Sequence, residues 1–368
     1  MRRLQGKFAT SMVFSGIGIA ALLAAGFVFA AQPPSSAGKP PAAAMPPVPA
    51  LTPYVEAHTH YNEKDPQGSV RAALAGLKRQ NAAMIFMLAP PDTYTHPGHY
   101  DAEVILPEAK KYPGKLAVLG GGGTLNAMIM QSVATGDAGP AVRKKFSARA
   151  EQLLREGVIG FGEMAAEHFD GGTPYQYAPP DHPLYLLLAD IAAQHGVPIV
   201  LHMEAVPQDM ALPAGLKSPP NPPRLHANIA AFERLLDHNP RAKIIWAHAG
   251  SDNTGFRTPA LCARLLAAHP NLYMEIKTDP LAKGMNYPME NGKIKPEWLA
   301  LFTKFPDRFI IGTDQHYPEP NAPEQRWQTA VDLFNQLPAG LRKKIGTENV
   351  AHIYGKSVAA YLLHAAKN

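Results

Sequence analysis

An α/β chain folded as a (β/α)8 TIM barrel with enlarged βα loops is what this sequence predicts, and three observations carry the prediction. From Tyr54 onward, apolar runs of β-forming residues alternate with stretches of helical periodicity, which is how a parallel sheet covered by helices reads. Eight such runs recur at intervals of roughly thirty to forty-five residues, and eight units in series favour a closed barrel over a doubly wound open sheet. Five of the eight end in a side chain able to hold a metal ion. In a barrel all strand C-termini lie on one rim, so residues far apart in sequence converge there.

The runs follow in order. The first is Tyr54 to His58, and the residues at its end, His58-Thr-His60, put two imidazoles one residue apart, on one face of an extended strand. A helical segment from Ser69 to Arg79 leads into Ala82–Leu88, and the third run is Lys115–Leu119. A helix through Ala148, Leu153 and Leu154 precedes Val158–Glu163. Leu184 to His195 keeps apolar residues at 3.6-residue spacing, and Gly196 with Pro198 stops it before Ile199–His202. Ile229, Phe232, Leu235 and Leu236 mark the next helix, halted at Asn239-Pro240 ahead of Ile244–His248. Asn271–Ile276 and Phe309–Asp314 complete the set. Cys262, the only cysteine, shares helical spacing with Leu265 and Leu266, which reads as a buried thiol and excludes an intramolecular disulfide.

Before the barrel the chain is different in kind. Arg2, Arg3 and Lys7 precede an apolar stretch from Met12 to Ala30, the form of a secretory leader, with small residues at Val28-Phe-Ala30 for cleavage before Ala31. An uncleaved membrane anchor is the alternative, since the stretch approaches spanning length. Residues 1–31 are thus read as signal or anchor, 32–53 as a Pro/Ala-rich linker and 54–368 as the catalytic domain, placed in the periplasm or outside the cell. Removing the three leader charges from the formal +5 leaves about +2. With no basic stripe interleaved by aromatics, nucleic acid is not an expected partner; a small molecule is, with a homodimer as the default assembly.

The converging donors are His58, His60, Glu163, His202, His248 and Asp314. Together with Glu-Ala-His58-Thr-His60, Pro198-Ile-Val-Leu-His202, Ile245-Trp-Ala-His248-Ala-Gly250, Ile311-Gly-Thr-Asp314 and a closing Gly346–Gly355 segment, the chain resembles the amidohydrolase superfamily, and most closely its amidohydrolase 2 branch. The resemblance spans about residues 54–364. It implies one or two divalent ions, with His58, His60, His202 and Asp314 as ligands in the one-metal form. A His/carboxylate set suits zinc, with Mn2+, Fe2+ or Co2+ as alternatives. It further implies Asp314 as the proton carrier and the metal with His248 as stabiliser of a developing oxyanion.

Glu163 bears on the metal count. Relatives with a carboxylated lysine on the fourth strand bridge two ions with it, others use a Gly-Glu motif like that of TatD-type nucleases, and Phe161-Gly-Glu163 resembles the latter. Glu56 stands where the family often has aspartate. Along the rim, His168, Tyr175, Glu204, Arg257, Lys277 and His316 are candidate substrate contacts, while His96 and His99 read as a loop and Gly120–Gly123 as a turn bringing backbone close to the pocket. The expectation is a metal-dependent hydrolase acting on an amide, lactone or ester. Non-oxidative decarboxylation of an aromatic or unsaturated acid is the alternative, followed by a TatD-like phosphodiesterase and a non-enzymatic binding barrel.

Overall fold

The computed structural model describes residues 48–96, 100–169, 174–216, 221–278, 286–318 and 325–365. The leader, most of the linker and His99 lie outside them. Residues 48–53, expected to end the linker, instead lie against the domain: Ala50 is buried, its N–H donates to the Gln80 carbonyl, and Leu51 N–H donates to Asn335 Oδ1 at 2.7 Å. Among the described residues no helix is long and apolar enough to cross a membrane.

Eight parallel strands form the sheet. They are β1 (Tyr54–Tyr61), β2 (Ala82–Leu88), β3 (Leu116–Val118, continued at Gly120–Gly121), β4 (Phe161–Ala165), β5 (Pro198–His202), β6 (Lys243–Ala249), β7 (Leu272–Ile276) and β8 (Phe309–Ile311, continued at Gln315–Tyr317). Each pairs with the next, and β8 pairs with β1. The circuit closes through β3. Its first half pairs with β2 and its second with β4, and between them Val118 O accepts from Ile159 N–H at 2.9 Å while Leu119 N–H donates to Met87 O at 3.1 Å. The chain is a (β/α)8 barrel.

Two apolar clusters show where the core sits. One lies between strands and helices, with Phe146, Leu153, Leu188, Phe232 and Trp298 packed on Phe161, Trp246 and Phe309. The other draws Val55, Phe86, Leu88, Leu119, Val200, Ile245, Tyr273 and Ile310 from the strands and their ends, so it fills the barrel itself. Val350, Ile353 and Tyr354 of the C-terminal helices join this second cluster, with the Tyr354 ring 4.8 Å from that of Phe86.

Local chemistry sets the helix ends. Asp65 caps Pro66–Gln80 by accepting from Gly68 N–H at 2.8 Å, and Asn81 ends it in the left-handed conformation. Gly196, at φ +69°, ends Pro183–His195 ahead of β5. Cys262 is fully buried on Pro259–Ala268, and burial pushes its thiol up to about 12.

Three expectations are corrected. β1 runs on to Tyr61 rather than ending at His58. Gly120–Gly121 is strand, not turn, since it pairs with Phe161 and Gly162. The last strand stops at Ile311, three residues short of Asp314, because the backbone turns left-handed at Asp314 before pairing with β1 resumes. The loops carry short antiparallel pairs, Glu167–His168 with Gln176–Tyr177, Met210–Ala211 with Arg224–Leu225 and Met289–Glu290 with Lys293–Ile294.

Candidate metal centre

Strand geometry brings the six donors together at the C-terminal rim. Glu163, at 2% exposure, sits between two histidine pairs. Its Oε2 lies 3.4 Å from His58 Nε2 and 3.5 Å from His60 Nε2, while Oε1 lies 2.8 Å from His202 Nδ1 and 2.9 Å from His248 Nε2. Asp314 Oδ1 is 2.8 Å from His60 Nε2 and 3.9 Å from His58 Nε2. Two overlapping donor groups result, His58–Glu163–His248 and His58–His60–Asp314, each with its ligand atoms within 4.8 Å of one another.

These donors fit a divalent cation on a second count. His58 Nδ1 is tied to Glu275 Oε2 at 2.7 Å, which fixes the ring and aims Nε2 at the carboxylates. That Nε2 is buried and has no hydrogen-bond partner among the described residues. A buried ring nitrogen facing two carboxylates is a place that a cation fills, either a proton or a metal ion.

Burial by itself would raise Glu163, but His58 and the hydrogen bonds from His202 and His248 hold it well below the usual carboxylate range. Burial likewise opposes ionisation of Asp314, and Lys277 and His60 overcome it, leaving that carboxyl well below its ordinary value. His60 is depressed by burial yet lifted to about 8 by Asp314 and Glu163, and His58 is raised well above its ordinary value by Glu275 and Glu163 against the same burial. Burial, then Lys277, drives His248 well down. Two anionic carboxylates thus draw protons onto His58 and His60, and a divalent ion taken up there would displace those protons.

Against the donors lies a pocket of about 250 Å³, lined by His168, His316, Pro90, Pro91 and Arg326 besides every donor but His58. The His168 ring lies tilted against that of His202, 4.6 Å away, and His316 sits 4.9 Å from His60. Burial, then His202, lowers His168 to about 3, and burial, then His60, lowers His316 to about 4, so both are neutral imidazoles. Lys277 reaches the site, but its Nζ is 2.6 Å from Asp314 Oδ2 rather than directed at the pocket.

Three expected substrate contacts are not brought there. Arg257 is 1% exposed and donates to the carbonyls of Ala247 and His248, both at 2.7 Å, and of Met203. Its guanidinium also covers the Trp246 ring at 4.5 Å. Glu204 is buried and accepts from Asn253 Nδ2 at 2.6 Å. Tyr175 packs on Phe169 and donates to Glu167 Oε1 at 3.2 Å. Each satisfies a local backbone or side-chain need, which a rim position in the sequence does not reveal. His96, read as a loop residue, is 2.6 Å from Asp92 Oδ2 through Nδ1.

Sequence reasoning missed Glu275 and Arg326. Glu275 interrupts an apolar buried strand, and a lone acid in such a run needs a partner; that was the available signal. Arg326 belongs to helix Gln325–Gln336, away from any strand end, and donates to the Asp314 carbonyl at 2.6 Å. Glu56 holds backbone together. Its Oε1 accepts from Thr313 N–H at 2.8 Å and from His58 N–H at 3.3 Å, clamping β1 to the segment before Asp314. Gly312 is required beside it, because a Cβ there would stand 2.9 Å from both Glu275 Cδ and His58 Cβ.

Glu167, behind the pocket wall, supports a pH prediction. Burial, then Glu204, pushes its carboxyl up to about 8. A folded pKa above the unfolded value means the fold holds a proton that the unfolded chain releases, so this group's contribution is lost as pH rises from about 4.5 through 8. Glu167→Gln is therefore expected to raise Tm by about 5 °C at pH 8 and by almost nothing at pH 5. Thermal melts across that range check it, and a pH-independent difference would show that Glu167 is ionised in the fold.

A β/α barrel with a histidine and carboxylate cluster on its C-terminal rim defines the class of metal-dependent barrel enzymes. The amidohydrolase family model matches residues 137–356, more than half of the chain, and the chain belongs to that family. No curated protein matches it. Among solved structures it is similar to a probable 2-pyrone-4,6-dicarboxylic acid hydrolase from Acinetobacter baumannii, with 12% identity, a TM-score of 0.50, and coverage of 82% of this chain and 99% of that one. It also matches a 2,6-dihydroxybenzoate decarboxylase from Rhizobium, with 17% identity, a TM-score of 0.48 and coverage of 82% and 98%. A third match is a dihydroxybenzoic acid decarboxylase from Polaromonas sp. JS666 with bound manganese, at 16% identity, a TM-score of 0.47 and coverage of 82% and 96%. At these identities the likeness speaks to fold alone.

Proposed function

We propose that this protein is a hydrolase that uses two divalent ions, zinc first among them, to add water to the carbonyl of a small amide, lactone or ester. The observation that carries the reading is the division of Glu163: one oxygen faces His58 and His60, the other His202 and His248. With a carboxylate oxygen turned to each pair, His58 and His60 would hold one ion and His202 and His248 the other. When bound, the ions supply Lewis acidity and lower the pKa of water towards ~7.

The chain's own residues do the rest. Asp314 Oδ1, directed at His60, is the atom that takes a proton from the attacking water and returns it to the leaving group. Lys277 holds Oδ2, so only one oxygen of Asp314 turns to the reaction. His168 and His316, both neutral, orient the substrate by hydrogen bonding from the pocket wall. Decarboxylation of an acid is the second reading, favoured by one feature: Arg326 lines the same pocket and suits a carboxylate substrate.

Elemental analysis of protein purified without chelator or histidine tag tests the first reading. About two ions per chain, with turnover of amides, lactones or esters, is expected. About one ion, with carbon dioxide released from aromatic acids, would transfer the assignment to decarboxylation; no ion, even after adding zinc or manganese, would end both.

A further inference from the structure

Two of the donor residues have unusual backbones. His248 lies at φ +66° and Asp314 at φ +58°, in the left-handed region that side chains rarely adopt. Among the described residues the only other non-glycine cases are Asn81, Asn286 and Asn291; asparagine tolerates that region, and aspartate and histidine do so more often than other side chains though still at a cost. Left-handed residues that are neither glycine nor asparagine thus occur, among the described residues, only at the candidate centre. Something must hold them there.

In both cases an arginine is bonded to the carbonyl of the left-handed residue. Arg257 Nη1 donates to His248 O at 2.7 Å and to Ala247 O at 2.7 Å, and its Nη2 donates to Met203 O, one residue past His202. Arg326 Nη1 donates to Asp314 O at 2.6 Å and lies 3.4 Å from Asp314 Oδ2. The two arginines come from different elements, Arg257 from the segment after β6 and Arg326 from helix Gln325–Gln336. A guanidinium offers several fixed donors and so can hold adjacent carbonyls at once, which a lysine ammonium does less well.

We propose that Arg257 and Arg326 are positioning residues, each clamping the carbonyl of a left-handed donor residue so that the side chains of His248 and Asp314 face Glu163 and His60. If a clamped residue relaxed to extended backbone, its peptide plane and Cβ would rotate together, and the imidazole or carboxylate would leave the cluster. Arg257 also ties the ends of β5 and β6, so it sets His202 and His248 as a pair. Arg326 is placed differently. It lines the pocket, so a substrate that engages it acts on the same carbonyl that orients Asp314. The proposal rests on reading the six donors as a metal centre.

The test is titration of the full-length chain with Co2+, followed by its visible absorption spectrum, for wild type, Arg257→Lys, Arg326→Lys and Arg326→Gln. Circular dichroism and thermal melts verify folding. Outer-shell partners of metal ligands are worth about 10- to 100-fold in affinity, so the folded Arg257→Lys and Arg326→Gln proteins are each expected to bind Co2+ that much more weakly with a shifted spectrum. Arg326→Lys, which keeps one donor, should recover part of the loss. Wild-type affinity, stoichiometry and spectrum in folded Arg326→Gln and Arg257→Lys would overturn the proposal while leaving the metal centre intact. An Arg257→Lys chain that does not fold would overturn the assignment for Arg257, making it a residue of the fold as such. Wild type that takes up no Co2+ would instead overturn the metal-centre reading, and the clamps with it.

Discussion

Asp314→Asn is expected to lower kcat/KM by about 10³-fold or more, within the range by which a positioned acid–base group accelerates a reaction. The substitution isolates the chemistry from the conformation. Asparagine accepts the left-handed backbone at φ +58° without penalty, so the turn and the bond from Arg326 to the carbonyl persist. What disappears is an oxygen able to carry a proton, together with the ion pair that Lys277 makes at 2.6 Å. Steady-state kinetics beside metal analysis checks the result: turnover within about threefold of wild type would refute Asp314 as the proton carrier, whatever the metal content.

The second large effect is at Glu163. Glu163→Gln keeps the shape of the side chain and removes the charge that four imidazoles face. In either amide orientation an N–H₂ group is turned towards one histidine pair, where a cation needs an acceptor. The expected outcome is a fall from about two ions per chain to one or fewer, with kcat/KM reduced by about 10²- to 10³-fold. Metal analysis after dialysis against trace zinc decides it. Unchanged stoichiometry would mean that Glu163 is a partner of the histidines and not a bridge between ions.

Much of this was legible in the chain because buried parallel strands read as apolar runs and because a barrel sends every strand's end to one rim. His58, His60, Glu163, His202, His248 and Asp314 each stand at or near such an end, and the structure gathers them around one point. Side-chain direction was not legible. Arg257 stands on the rim as expected, yet its guanidinium turns inward onto the carbonyls of Met203, Ala247 and His248, buried acceptors that need donors. Lys277 turns to Asp314 for a similar reason, a buried carboxylate needing a close cation. Arg326 could not be read from the sequence because its approach depends on how a helix packs, and the spacing of strands contains no record of that.

The clamp from Glu56 to Thr313 also has a kinetic meaning. It joins groups 257 positions apart, at the seam where the first strand meets the last. Contacts of such long sequence separation form late, since the entropy of closing the intervening loop must be met first. During synthesis His58, His60, Glu163, His202 and His248 are all made before Asp314, and the set is finished only when β8 docks. Under the metal-centre reading, an ion is fully enclosed by its donors only after the last strand has closed.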